Sequence, residues 1–286
     1  MCCLFGFIDY AGSLSVKQKC RLIRELSIAA EVRGTDATGI AYNTSRGLQI
    51  YKRPLAAHRL HLRIPAEAHV VMGHTRMATQ GSAKKNFNNH PFFGHVKGES
   101  FALTHNGTIW NDLELRRTKH LPRTKVQTDS YIAAQLLEQQ KALNLSSLKC
   151  MAEQVEGSFS FSVLSEQDEL WLVKGDNPLT IVHYPAAGVY VYASTAEILN
   201  KALARCGNWI GRGEKVDIAM GDIVKIDRKG RITRGTFDAS KLYRSSWGYW
   251  DTPLYPKVPH SEEEHLALLK SVAKSLALQA RWSIDC

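Results

Sequence analysis

The 286-residue sequence lacks several things, and each absence narrows what the chain can be. No run approaches the ~20 consecutive apolar residues that cross a bilayer as a helix, so no membrane span is expected. The N-terminus, Met1-Cys2-Cys3-Leu4-Phe5-Gly6-Phe7-Ile8-Asp9, has no basic stretch and reaches an acid within nine residues. That argues against a secretory leader and for a cytoplasmic protein. The six cysteines form no C-x-x-C pair and no H-E-x-x-H occurs, so no metal centre and no disulfide framework is expected. Neither a G-x-x-x-x-G-K-[ST] phosphate loop nor a G-x-G-x-x-G is found, and no nucleotide cofactor is implied. Internal repeats and low-complexity segments are also missing.

What is present is an ordinary globular composition, 44% hydrophobic, with 37 Lys+Arg against 27 Asp+Glu. The formal charge of +10 invites a nucleic-acid reading. The basic residues do not concentrate, however. Arg116-Arg117 with Lys119, and Arg228-Lys229 with Arg231, are short and separated. A scattered basic surface is the simpler account, and a nucleic-acid partner is not expected.

Hydrophobic periodicity predicts a mixture of short strands and helices. Strands are expected at 4–8, 70–72, 101–104, 158–164, 170–173, 179–182, 189–192 and 223–226, and a hairpin at 40–42 and 48–51 around Ser45-Arg46-Gly47. Helices are expected at 16–32, ended by Gly34, at 130–140, and near 196–204. Without regular β-α-β spacing these elements argue for α+β layers. The end of the chain differs. Trp247-Gly248-Tyr249-Trp250 leads into Pro253, Pro256 and Pro259, which reads as a stiff linker over 241–260. Ser261-Glu262-Glu263-Glu264 then caps an expected helix over 261–286.

Cys2 is the first residue with specific chemistry. Removal of an initiator methionine before a small residue would leave a thiol and a free α-amine on one residue. The amine, with an ordinary pKa of about 7.7–8.0, can accept the thiol proton at neutral pH. Alone, Cys2 reads more readily as a buried apolar residue than as a nucleophile. Five further blocks stand in a fixed order behind it: Arg33-Gly34-Thr35-Asp36-Ala37-Thr38-Gly39, Gly73-His74-Thr75-Arg76-Met77-Ala78-Thr79-Gln80-Gly81, Asn89-His90-Pro91-Phe92, Thr104-His105-Asn106-Gly107-Thr108-Ile109 and Thr128-Asp129-Ser130.

Together with Cys2, these blocks resemble the class II glutamine amidotransferase domain, the N-terminal-nucleophile glutaminase of glucosamine-phosphate synthase and amidophosphoribosyltransferase. The likeness is clear over residues 2 to about 165 and extends to about 235. It implies a four-layer αββα sandwich over residues 2–240. It also implies that Cys2 attacks the side-chain amide of glutamine, while Asn106 and the backbone N–H of Gly107 hold the oxyanion. Arg76 would clamp the substrate carboxylate, Asp129 would hold its ammonium, and Thr79 lies in the same binding loop. Arg33, Asp36, Met77 and Gln80 would support the site. His74, His90 and His105 are expected to be structural. The sequence departs from the pattern at Cys3, where glycine commonly follows the nucleophile, at Met77, where an aromatic is common, and at Gln80, which replaces a histidine of some relatives.

About 45 residues follow the expected domain, too few for an ammonia-consuming synthase domain. Three readings therefore stand side by side. The favoured one is a stand-alone glutaminase that passes ammonia to a synthase subunit in trans. A second keeps the chemistry but hydrolyses another γ-glutamyl amide. A third is a non-catalytic binding protein that uses its basic surface. Homo-oligomerisation is left open.

Overall fold

A computed structural model describes residues 2–207 and 210–242 of the chain. The expected terminal helix over 261–286, and the expected linker apart from its first two residues, lie outside those described residues.

The first strand, β1 (Cys3–Asp9), is buried throughout. It lies between β4 (Val70–Arg76) and β10 (Val189–Ala193), antiparallel to both. Beyond β4 come the hairpin strands β2 (Ala37–Thr44) and β3 (Gly47–Arg53). Beyond β10 come β9 (Thr180–Tyr184) and β11 (Glu214–Val216), which completes a seven-stranded sheet. The second sheet has six strands. Its longest strand is β6 (Glu99–Ile109), paired on one side with the edge strand β5 (Phe92–Val96) and on the other with β7 (Gly157–Ser165). Then follow β8 (Leu170–Lys174), β12 (Asp222–Ile226) and β13 (Ile232–Thr236).

The period-two pattern of the strands sorts their side chains into three apolar layers. From β1, Cys3, Phe5 and Phe7 pack outward with Leu22, Ile23 and Leu26 of α1 (Val16–Ala29) and with Ile198, Leu199 and Ala202 of α5 (Ala196–Cys206). The alternate residues Leu4 and Ile8 face inward. They meet Val70 and Met72 of β4 and, from the second sheet, Ala102, Leu164, Leu170 and Leu172. On the far side Phe101, Leu103, Phe161 and Val163 pack on α3 (Tyr131–Gln140) and α4 (Leu145–Gln154), with Leu115 of α2 (Asp112–Thr118) at the edge. The result is an αββα sandwich.

Most of the expected elements are found within a few residues of their expected bounds. The first helix is shorter than the periodicity suggests: it ends at Ala29, and Ala30–Arg33 tightens into a 3-10 turn. The elements α2, α4, β5, β11 and β13 had no counterpart in the sequence reading. Among the described residues no helix is long and apolar enough to cross a membrane.

Candidate active site

The inward face of the sandwich is apolar at its middle and becomes polar toward one end. On β4 the inward residues run Val70, Met72, His74, Arg76; on β6 they run Ala102, Thr104, Asn106. Cys2 precedes Leu4 with the same parity. Because Cys3 pairs with Thr75, the start of β1 lies beside the end of β4. His74 Nε2 then donates across the gap to the His105 carbonyl at 2.9 Å, which brings the end of β4 against the Asn106-Gly107 segment of the other sheet. Six sequence blocks dispersed over more than 120 residues thus converge.

Cys2 is buried, with 9% of its surface exposed. Its Sγ lies 3.6 Å from the Met77 carbonyl, and its own carbonyl accepts from Arg33 Nε at 2.8 Å. Burial pushes the thiol above its ordinary value; the nearby Arg76 cation pulls it down, while Asp129 adds to the rise. A thiol raised in this way needs a base to become a nucleophile.

The buried histidines are poorly suited to be that base. Burial lowers His74 to about 3, and its Nε2–H is already committed to a carbonyl. His105 Nε2 faces the Ser158 carbonyl at 3.3 Å, so its Nδ1 accepts from Ser130 Oγ at 2.8 Å; burial lowers this ring too. His90 is lowered by burial first and then by His74, His105, Arg76 and Lys52.

Arg76 and Asp129 are a buried cation and a buried anion, 3% exposed each. Neither forms an ion pair among the described residues. Arg76 is held by neutral oxygens: Asn89 Oδ1 at 2.8 Å and the carbonyls of Gln80 at 2.6 Å and Gly81 at 2.9 Å. Asp129 Oδ2 accepts from the Ile109 N–H at 2.6 Å, and Oδ1 lies 3.4 Å from Ser130 Oγ. Burying two opposite charges without pairing them is costly unless a ligand completes both. A free α-amino acid, with its carboxylate and ammonium, is such a ligand.

Asn106 adds a second incomplete group. It is fully buried, and neither its Oδ1 nor its Nδ2 has a hydrogen-bond partner among the described residues. An unpaired buried amide costs roughly 1–3 kcal/mol, and its Nδ2–H can serve an oxygen that develops negative charge. Gly107 follows at φ +145°, where a Cβ would lie 1.8 Å from the Ser158 carbonyl oxygen, so only glycine fits.

The remaining expected residues lie around this centre. Asp36 Oδ2 accepts from the Ala78 N–H at 2.8 Å and so ties the 77–80 loop to the start of β2. Met77, Thr79 and Gln80 are exposed on that loop, Met77 by 51%. Cys3, next to Cys2, faces the opposite way into the outer core, and burial raises its thiol to about 11. Two supporting residues were not singled out from the sequence, Asn89 and Lys52. Asn89 was visible only as part of an Asn-His-Pro-Phe block. Lys52 had no signal, because its partners lie 37 and 39 residues away. Among the described residues no cluster of three or more His, Cys, Asp or Glu is arranged to hold a metal ion.

Residues 74–201 match the family model described as a glutamine amidotransferase domain. That segment is similar to a glutamine amidotransferase domain. Over 195 residues the chain is 30% identical to the glutamine–fructose-6-phosphate aminotransferase of Sulfurisphaera tokodaii, covering 63% of this chain and 31% of that protein. It is 32% identical over 190 residues to the enzyme of the same name from Bacillus thuringiensis, again 63% of this chain and 30% of the relative. The chain thus spans about three tenths of the length of the curated relatives it matches. Its fold superposes on the glutamine phosphoribosylpyrophosphate amidotransferase of B. subtilis with a TM-score of 0.63 at 18% identity, over 82% of this chain and 49% of that one. That superposition shows that the αββα sandwich of this chain shares the fold of that protein.

Proposed function

We propose that the chain hydrolyses the side-chain amide of glutamine through Cys2, after removal of Met1, and passes the ammonia to an acceptor held by a partner subunit. The observation that carries the glutaminase reading is a buried cysteine flanked by an unpaired cation, an unpaired anion and an orphaned amide. Arg76 takes the α-carboxylate and Asp129 the α-ammonium. The thiol proton moves to the α-amine of Cys2 as sulfur attacks the side-chain amide carbon. Asn106 Nδ2 and the Gly107 N–H stabilise the oxyanion. The carbon–nitrogen bond then breaks, nitrogen leaves as ammonia with the proton from the amine, and water hydrolyses the γ-glutamyl thioester to glutamate. The raised thiol and the commitment of His74 to a carbonyl support the α-amine as the base. The names of the relatives, aminotransferases and amidotransferases acting on sugar phosphates, support an acceptor of small size.

The test begins with the intact mass of the mature protein: retained Met1 removes the amine and sinks the mechanism. Glutamine turnover that vanishes in Cys2→Ala is expected, together with labelling of Cys2 by a glutamine-like electrophile. Faster turnover of larger γ-glutamyl amides than of glutamine would shift the substrate to that class. No turnover and no labelling would leave a binding protein, for which salt-dependent nucleic-acid retention is the check.

A further inference from the structure

Lys52 sits on β3 opposite Gly39, and its environment is unusual for a lysine. A Cβ at Gly39 would lie 2.2 Å from the His90 carbonyl oxygen and 2.8 Å from Pro91 Cδ, so the bare backbone lets the 89–91 segment settle against this hairpin. Lys52 grips that segment from the side. Its Nζ donates to the carbonyls of Asn89 at 2.5 Å and Pro91 at 2.8 Å, and it lies 5.2 Å from the Phe92 ring centroid. The Lys52 carbonyl in turn accepts from Asn86 Nδ2 at 3.0 Å. No carboxylate pairs with the ammonium among the described residues. Burial, and then the like charge of Arg76, pull it down to about 8.

A cation held so close to another cation, with no anion between them, is an expensive way to pin a loop. A methionine of similar length would fill the same space without the desolvation cost. What the amine achieves is directional: it fixes the backbone of Asn89, whose Oδ1 accepts from Arg76 Nη1 and whose Nδ2 donates to the Ala83 carbonyl at 2.8 Å. We propose that Lys52 is a positioning residue for Arg76, holding the guanidinium through Asn89 in the orientation that receives a substrate carboxylate. The kinetic consequence rests on the glutaminase reading given above; the orientation of Arg76 does not.

The experiment compares wild type, Lys52→Met and Lys52→Arg in the full chain. In the first arm, NMR of the guanidinium follows the Arg76 Nε–H in the absence of substrate. A protected, slowly exchanging signal is expected in wild type and Lys52→Arg and is lost in Lys52→Met. In the second arm, KM for glutamine rises about tenfold in Lys52→Met, the worth of one good hydrogen bond, while kcat stays within about twofold. Lys52→Arg, which keeps the charge and the donors, restores KM, and the melting temperature of Lys52→Met is unchanged or higher. An unaltered Arg76 signal in Lys52→Met overturns the proposal. So does a parallel fall in kcat and melting temperature with KM unmoved, which would make Lys52 a structural anchor alone. Wild type that turns over no glutamine refutes the glutaminase reading, and the NMR arm then decides the role of Lys52 by itself.

Discussion

The two ends of the space between the sheets are built from the same strands and have opposite chemistry. In the middle and toward one end, Leu4, Ile8, Val70, Met72, Leu164, Leu170 and Leu172 close on one another. Toward the other end the same inward positions carry Cys2, His74, Arg76, Thr104 and Asn106. The buried side-chain atoms that lack a partner fall largely in or beside that polar region, at Asn106, His90 and Thr128. The apolar end packs on itself, with the Tyr192 hydroxyl its one buried side-chain polar atom without a partner among the described residues. The polar end leaves Arg76 and Asp129 without ion pairs and the Asn106 amide without a partner among the described residues, and the stability that the first supplies is what allows the second to stay unfinished.

The contrast predicts that substitutions at the two ends separate activity from stability. The largest effect is expected from Asn106→Ala, which removes one donor of the proposed oxyanion site: kcat should fall roughly 10²–10³-fold, about 3–4 kcal/mol, with the urea midpoint unchanged or raised because an orphaned amide has gone. A variant that unfolds instead would make Asn106 part of the scaffold and erase the distinction. At the apolar end, Leu172→Ala should cost about 3 kcal/mol in urea unfolding while KM for glutamine stays at its wild-type value. A KM shift of tenfold or more there would show that the two ends communicate.

The smallest effect is electrostatic. His74 is about 3 in the folded state and 6.5 as a free side chain. Between those values the unfolded chain binds the extra proton, so stability rises with pH over this window and is lost as pH falls below about 6.5. At pH 5 the loss is about 2 kcal/mol for this ring. Burial lowers His90 and His105 in the same direction. Urea titrations at pH 7 and pH 5 should show the loss in wild type and a smaller one in His74→Asn; equal losses would put the acid sensitivity elsewhere.

The sequence was most readable where chemistry and periodicity coincide. β1 is a short unbroken apolar run, the serines of β7 alternate with Phe159, Phe161 and Val163, and the blocks around Arg76, Asn106 and Asp129 are dense in residues of restricted use. The unread elements give weak patterns for physical reasons. Leu113 of α2 is 72% exposed, so that short helix has almost no apolar face. The edge strands β11 and β13 bury little. α4 opens with an Asn144–Ser147 capping box in place of the commoner Ser/Thr with Glu/Gln. The first helix ends early, and at the end of the 3-10 turn that follows, Arg33 donates to the Cys2 carbonyl. Asn89 and Lys52 were hidden for a different reason: a residue that acts by holding another's backbone leaves no pattern along the chain.

The opposed facing of Cys2 and Cys3 means that being first in the mature chain and pointing into the site are set by different devices. On the proposed mechanism, removal of Met1 decides the first; the pleat of β1, registered by the pairing of Cys3 with Thr75 and Phe5 with Gly73, decides the second. Deleting either cysteine codon gives the same shortened protein, still bearing a cysteine behind Met1, yet the strand must then either slip by one residue or turn its whole apolar set over. The doubled cysteine is therefore no spare: the second thiol is a spacer that keeps the count between the chain terminus and the core.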